Sequence, residues 1–274
     1  MSTRISADGY LRGGDTYALD ELQEPSGALS TTFPIIDQLT GGGIPYGGLW
    51  GLIGTRGVGV TNLALQIGVD AAQRGEPVVF VNDHVDSGSI KRRVTAMTAG
   101  SPGLRGAETS RPTADMLFAS WIPNPSLDDQ GLARLNLWQI SPRLVVLDTM
   151  RDSDLSVMAD RESADGYLAW LGLWRRWARR WGRCVLVTLR LPPDAGNRGV
   201  PQAGDLAFAA YSAMVEAVDT MVEIKECRED LAGQVEVSVA HSRRGPVHRG
   251  IAAFASPTTL RLSEFTLNSP RLED

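Results

Sequence analysis

The stretch from Leu49 to Asp83 constrains the fold more than any other part of the chain. LWGLIG (49–54) is a short apolar run that ends in a glycine turn. TNLALQIGVDAAQRG (61–75) follows at helical spacing, with Leu63, Ile67 and Ala71 on one face and Gly75 as a stop. PVVFVND (77–83) is a second continuous apolar run. The order strand, glycine-rich loop, helix, strand is a β-loop-α-β unit, whose two strands run parallel.

The rest of the chain repeats this alternation. RLVVLDTM (143–150) and RCVLVTLRL (183–191) read as two more buried strands, separated by a strong helix over ESADGYLAWLGLWRRWARRWGR (162–183). Residues 100–130 are rich in Gly, Pro, Ser and Asp and predict loops around a short strand at MLFAS. LPPDAGNRGVPQAG (191–204) has loop composition, and helical spacing returns over DLAFAAYSAMVEAV (205–218). TMVEIKE, QVEVSVAHS and GIAAFA close the chain as strands, the first two joined by a turn near Gly233. Strands that are apolar throughout, alternating with helices, predict an α/β fold: a mostly parallel central sheet with helices on both faces. Ligands bind such sheets at the carboxyl ends of the strands. The polar, Gly- and Pro-broken residues 1–30 are expected to form a flexible arm or docking segment ahead of one domain over 31–274.

No apolar run approaches the roughly 18 residues of a membrane span, and the first residues, MSTRISADGYLRGG, lack the apolar stretch of a secretory signal. A cytoplasmic location without membrane contact is the resulting expectation. Cys184 and Cys227 are expected as small core residues; two cysteines cannot make a zinc site alone. The net charge of −5 excludes a global basic field for nucleic acid, so DNA contacts would have to come from local patches.

GTRGVGVT (54–61) sits where the first strand meets the first helix. It matches the phosphate-loop pattern G-x-x-x-x-G-K-[ST] at Gly54, Gly59 and Thr61 but has Val60 at the lysine position. Asp148 ends a second strand on the same side of the sheet and is the natural partner of Thr61 for a magnesium ion. The remnant nucleotide-binding set is therefore Gly54, Arg56, Gly57, Gly59, Val60, Thr61 and Asp148.

Several stretches together resemble the RecA-like ATPase core of the DnaB-type replicative helicase family, kin of RadA and KaiC. TTFPIIDQLTGGGIPYGGLWGLIG (31–54) resembles that family's opening segment, GTRGVGVT its phosphate loop, and LVVLDT its Walker B strand. RRGPVHRGIAAF (243–254) resembles the segment that follows its arginine finger. The resemblance spans about residues 31–265 and implies a RecA-like P-loop fold. The departures fall on the chemistry it would imply. Val60 replaces the phosphate-binding lysine, His84 falls at the catalytic glutamate with Asp83 one position off, and Arg190 falls at the glutamine that senses the terminal phosphate. Of the Lys-x-Arg pair that reaches a neighbouring subunit, Arg243 remains and His241 stands for the lysine.

A charged hydrogen bond to phosphate contributes about 1.5–3 kcal/mol, so loss of the lysine alone costs roughly one to two decades in binding or rate. Phosphoryl transfer rests almost wholly on positioning and charge stabilisation. Without lysine, glutamate and glutamine, the expectation is a pseudo-ATPase with no catalytic residues and no working metal centre. Thr61 and Asp148 would be a vestigial magnesium site, and no cofactor is expected unless ATP and Mg2+ are held weakly. Rescue by Arg56 within the loop is the alternative; a related loop class places its basic residue one position sooner, at Thr55. His84 is either a pH-sensitive base or an ordinary polar residue at a strand end.

Trp170, Trp174, Trp177 and Trp181 recur at spacings that put them on one helical face, with Arg175, Arg176, Arg179 and Arg180 largely opposite. The favoured reading packs the tryptophans on the sheet and leaves the arginines solvated. The other has indoles stacking on single-stranded bases and arginines gripping phosphates. Arg92 and Arg93 follow the second strand, and Arg198 is set against Asp194 in the loop that would face DNA in the helicases. Candidate DNA or partner contacts are thus Arg92, Arg93, Arg175, Arg176, Arg179 and Arg198, with Arg243 as a finger acting in trans. Three functions follow as expectations. The first is an inactive accessory protein in DNA replication, repair or mobile-element maintenance, with a protein partner or itself as partner. The others are an ATPase or helicase subunit completed in trans, and a single-stranded DNA-binding module.

Overall fold

A computed structural model describes residues 27–82, 87–99, 116–120, 140–150, 164–191, 206–226, 234–243, 248–255 and 262–264. A small ribbon of β1 (Ala28–Leu29) and β2 (Ile44–Pro45) brackets α1 (Pro34–Thr40). Then follow β3 (Leu49–Thr55), α2 (Val60–Gln73), β4 (Val78–Asn82), α3 (Ser87–Ala99), β5 (Met116–Ser120) and β6 (Leu144–Met150). The second half holds α4 (Ala164–Trp181), β7 (Cys184–Leu191), α5 (Leu206–Ala217) and the closing strands β8 (Thr220–Glu226), β9 (Gln234–Ser242), β10 (His248–Ala255) and β11 (Leu262–Glu264).

Among the described residues one nine-stranded sheet runs in the order β11-β10-β9-β8-β3-β7-β6-β4-β5. Strands β8, β3, β7, β6, β4 and β5 are mutually parallel, and β9, β10 and β11 continue the sheet as an antiparallel meander. The mostly parallel sheet covered on both faces is the architecture expected from the alternation of apolar runs. The reason is visible in the burial: Leu49 and Ile53 of β3 join one core, whereas Trp50 and Leu52 join the other. A strand buried on both faces has no polar face to alternate with.

One core lies under α1, α2 and α3. Helix α2 is buried nearly all round rather than along the single Leu63–Ile67–Ala71 stripe, because α3 flanks it and the sheet supports it. The other core lies under α4 and α5. Trp170, Trp174 and Trp177 are buried there, with edge-to-face centroid separations of 6.4 and 5.8 Å, so these three are packing residues. Trp181, the fourth of the stripe, is 38% exposed. Cys184 is fully buried, and burial pushes its thiol pKa up to about 12, in keeping with a core role; Cys227 lies outside the described residues.

Two helices escaped the sequence reading. α1 has only seven residues and stops at Gly41, whose backbone is left-handed. α3 carries its apolar signal on Ile90, Val94 and Met97 alone, among Ser, Thr and basic residues. The domain also reaches back before Thr31: Ala28 and Leu29 pair with β2, and the Asp37 carboxylate accepts hydrogen bonds from the hydroxyls of Ser30 and Thr31 at 2.5 and 2.6 Å. Residues 1–26 and the turn at Gly233 lie outside the described residues.

Candidate functional site

Strand β3 delivers the chain into the loop at Gly54, and only glycine fits there. A Cβ would lie 2.7 Å from the Ile224 carbonyl oxygen and 2.8 Å from methyl carbons of both Val58 and Val60. Gly57 and Gly59 have φ of 94° and 110°, which lets the loop fold back onto the amino end of α2 without strain. Val58 and Val60 point inward and are buried in the core, holding the loop from below. Val60 therefore supplies packing where the pattern has a cation. Arg56 is exposed at the crest and has no hydrogen-bond or ion-pair partner among the described residues.

The carboxyl ends of three neighbouring strands meet the first turn of α2. Even-numbered residues of β4, β6 and β7 face this helix, which brings Asn82, Asp148, Thr188 and Arg190 to one place. Asp148 is 3% exposed and its carboxylate is enclosed by donors. The Thr61 and Thr188 hydroxyls donate to Oδ1 at 3.0 and 2.8 Å, and the Asn82 amide donates to Oδ2 at 2.6 Å. Each hydrogen bond to an ionised group contributes about 1.5–3 kcal/mol, which offsets the cost of burying the charge.

Arg190 completes the cluster. Its register partner on β3 is Gly54, and its guanidinium donates to the Thr61 hydroxyl oxygen at 3.3 Å. The Thr61 proton is already directed at Asp148, so the arginine takes up a lone pair that would otherwise face a metal. A Mg2+ ion bonded to that oxygen at about 2.1 Å would lie within roughly 5–6 Å of the guanidinium, a repulsion of about 6 kcal/mol at an effective dielectric of 20. The residues present do not fit a magnesium ion in this arrangement.

The remaining sequence candidates are dispersed. Arg93 donates to Asn62 at 3.0 Å and ties α3 to α2, while Arg92 donates to Ser89 at 2.8 Å on its own helix. Arg175 pairs with Asp219 at 3.0 Å, whose other oxygen accepts the Leu49 backbone N–H at 2.9 Å. Arg243 is turned onto its own chain: Nε donates to the Val218 carbonyl at 3.1 Å and NH2 to that of Glu216, both at the carboxyl end of α5. This end lies at the amino edge of the sheet, away from the loop of the same subunit. His241 packs beside it, and burial first and the Arg243 charge second hold its pKa below the ordinary imidazole value. Arg176 and Arg179 are exposed on α4. His84, Asp83 and Arg198 lie outside the described residues.

Sequence reasoning missed Asn82, Thr188 and Asp219. Asn82 and Asp148 are direct register partners on β4 and β6, and each ends an apolar run, which was the available signal. Asp219 sits between helix α5 and strand β8, a position that looks like any polar junction until Arg175 and Leu49 arrive there.

No protein-family model matches the chain, and no curated protein matches it. Solved structures do. The KaiC-like protein PH0186 from the hyperthermophilic archaeon Pyrococcus horikoshii OT3 superposes with a TM-score of 0.62 and 15% identity, over 86% of this chain and 97% of that one. The ATPase domain of a DnaB-like protein superposes with a TM-score of 0.65 and 12% identity, over 87% of this chain and 92% of that one. Likeness at such identities is a likeness of fold, and the fold is that of a RecA-like P-loop ATPase core.

Proposed function

We propose that this chain is a RecA-fold protein that does not hydrolyse nucleoside triphosphates. On this reading it serves as a cytoplasmic accessory factor in DNA replication, repair or mobile-element maintenance and works through its surfaces. Its partners are a replication or repair protein, a second copy of itself, or DNA. The observation that carries the reading is the Arg190 guanidinium on the Thr61 hydroxyl, beside a carboxylate already engaged by three donors. With Val60 buried beneath the loop, neither lysine nor metal remains to neutralise charge on a transferred phosphoryl group. The sheet, the loop and its glycines persist as scaffold.

Phosphate release by the purified chain with ATP and Mg2+ tests this. No release above buffer is expected, and turnover of about 1 per second or faster, the ordinary enzymatic range, would overturn it. One observation favours a second reading, a divergent ATPase: Arg56 stands exposed at the loop crest and could reach a phosphate. Loss of any measured turnover in Arg56→Ala would select that reading over the first.

A further inference from the structure

The chain carries a net charge of −5, yet between Asp165 and Asp194 it has no acidic residue and six arginines. Five of these, Arg175, Arg176, Arg179, Arg180 and Arg183, belong to the second half of α4 and the turn after it. The fold carries this segment to the amino edge of the sheet. The Arg183 N–H donates to the Ala178 carbonyl as the helix ends, and its own carbonyl accepts from Gly47 just ahead of β3. Strand β9 ends at the same edge, because Ser242 is the register partner of Thr220, and this adds Arg243. The loop at Gly54–Thr61 is at the opposite edge, about 20 Å away along seven residues of strand.

Most of this charge is not neutralised. Asp219 pairs with Arg175 and is buried. Arg176, Arg179 and Arg180 are exposed and have no carboxylate partner among the described residues. The crowding is felt at Arg175, whose pKa is lowered by burial first and also by the charges of Arg179 and Arg243, against the opposing pull of Asp219. Positive charge at the carboxyl end of a helix is favoured by its dipole, which accounts for Arg179 and Arg180 singly. It does not account for a face of this size without one acid. Beside it Trp181 is 38% exposed, the large apolar side chain that the described surface leaves out of the core, with the Arg180 guanidinium 5.4 Å from its ring.

We infer that this arginine edge, built from Arg176, Arg179, Arg180 and Trp181 with Arg183 and Arg243 alongside, is a binding surface for single-stranded nucleic acid. Guanidinium groups hold phosphates in fixed forks and stack on bases, and an exposed indole offers a face to an unpaired base of any sequence. An acidic peptide would answer the charge but leave the indole unused. The inference deepens the accessory reading above, resting on it only for the pathway served. It places the strand on the edge remote from the loop, so binding needs no nucleotide.

The test is fluorescence anisotropy of a labelled oligothymidylate of about 20 nucleotides with the full chain, without ATP or Mg2+. Binding is expected to weaken at least tenfold between about 50 and 200 mM salt, because three or more phosphate contacts release counterions. The triple variant Arg176→Gln, Arg179→Gln, Arg180→Gln should bind about tenfold or more weakly, with a much flatter salt dependence. Trp181→Ala should also lose about tenfold by removing one stacked base, and it decides the matter if the triple variant does not fold. Binding unchanged in folded variants, no binding of the parent chain at about 50 mM salt, or displacement of the oligonucleotide by an equal charge of polyglutamate would each overturn the inference. Failure here leaves the phosphate-release result untouched, and ATP turnover would leave the arginine edge standing.

Discussion

Arg190 and Thr61 are 129 positions apart in the chain, and the arginine donates to the threonine hydroxyl oxygen at 3.3 Å. The contact follows from register. Arg190 is paired with Gly54 across β3 and β7, which sets its side chain beside the first turn of α2. A glutamine at the same place would be neutral, whereas the arginine brings a permanent positive charge to the spot where a metal would be held.

Replacing that charge should reopen the site. Arg190→Gln combined with Val60→Lys is expected to raise affinity for ATP with Mg2+ by about tenfold or more, since one charged hydrogen bond to phosphate contributes about 1.5–3 kcal/mol. The gain should vanish in EDTA. A thermal-shift titration of the parent, both single variants and the double variant checks this; equal midpoints for all four would refute the role assigned to Arg190.

Asp148 is predicted to be structural in its own right. Asp148→Ala removes the acceptor shared by Thr61, Thr188 and Asn82, leaving buried donors unpaired at a cost of about 3 kcal/mol. Asp148→Asn turns one acceptor into a donor and should cost less. Urea unfolding followed by tryptophan fluorescence measures both. If Asp148→Asn leaves the midpoint unchanged, the carboxylate is not holding the strand ends together.

Asp219 joins three elements: it accepts from Leu49 N–H at 2.9 Å and from Arg175 at 3.0 Å, and its own carbonyl accepts from Arg243 N–H at 2.8 Å. Asp219→Ala leaves Arg175 half-buried against Arg179 and Arg243, and breaking such a pair costs about 3–5 kcal/mol. Arg175→Met with Asp219→Ala should be less destabilised than the sum of the single variants. A double-mutant cycle by urea unfolding yields the coupling, and strict additivity would show that the two do not act as a pair.

Most of the scaffold was readable from the sequence because buried parallel strands are written as unbroken apolar runs: Leu49–Gly54, Val78–Val81, Leu144–Leu147 and Cys184–Leu189 all announce themselves. Helix α3 did not, since Ile90, Val94 and Met97 are its whole buried stripe. Thr61 and Asp148 could be paired in advance through a known pattern. Thr188 and Asn82 could not, because nothing local marks them and only the lateral alignment of β4, β6 and β7 brings them to Asp148. The inward packing of Val60 was equally hidden, for it depends on Gly54 leaving room and on Val58 beside it.

His241 makes a pH prediction whose sign is fixed by its surroundings. It stands on β9 opposite Met221, partly buried, with Arg243 two residues on. Burial and that positive charge both disfavour the imidazolium, so its folded pKa lies below the ordinary 6.5. Between the two values the unfolded chain binds the extra proton, and stability rises with pH. The contribution of His241 is therefore fully present above about 6.5 and is lost as pH falls through the folded value. His241→Gln should flatten the stability profile between about pH 5 and 7, and Arg243→Ala should flatten it in part, by removing the second of the two causes. Unfolding free energies measured across that range for the three proteins check the assignment. A parent slope that survives unchanged in His241→Gln would belong to one of the other two histidines, His84 or His248.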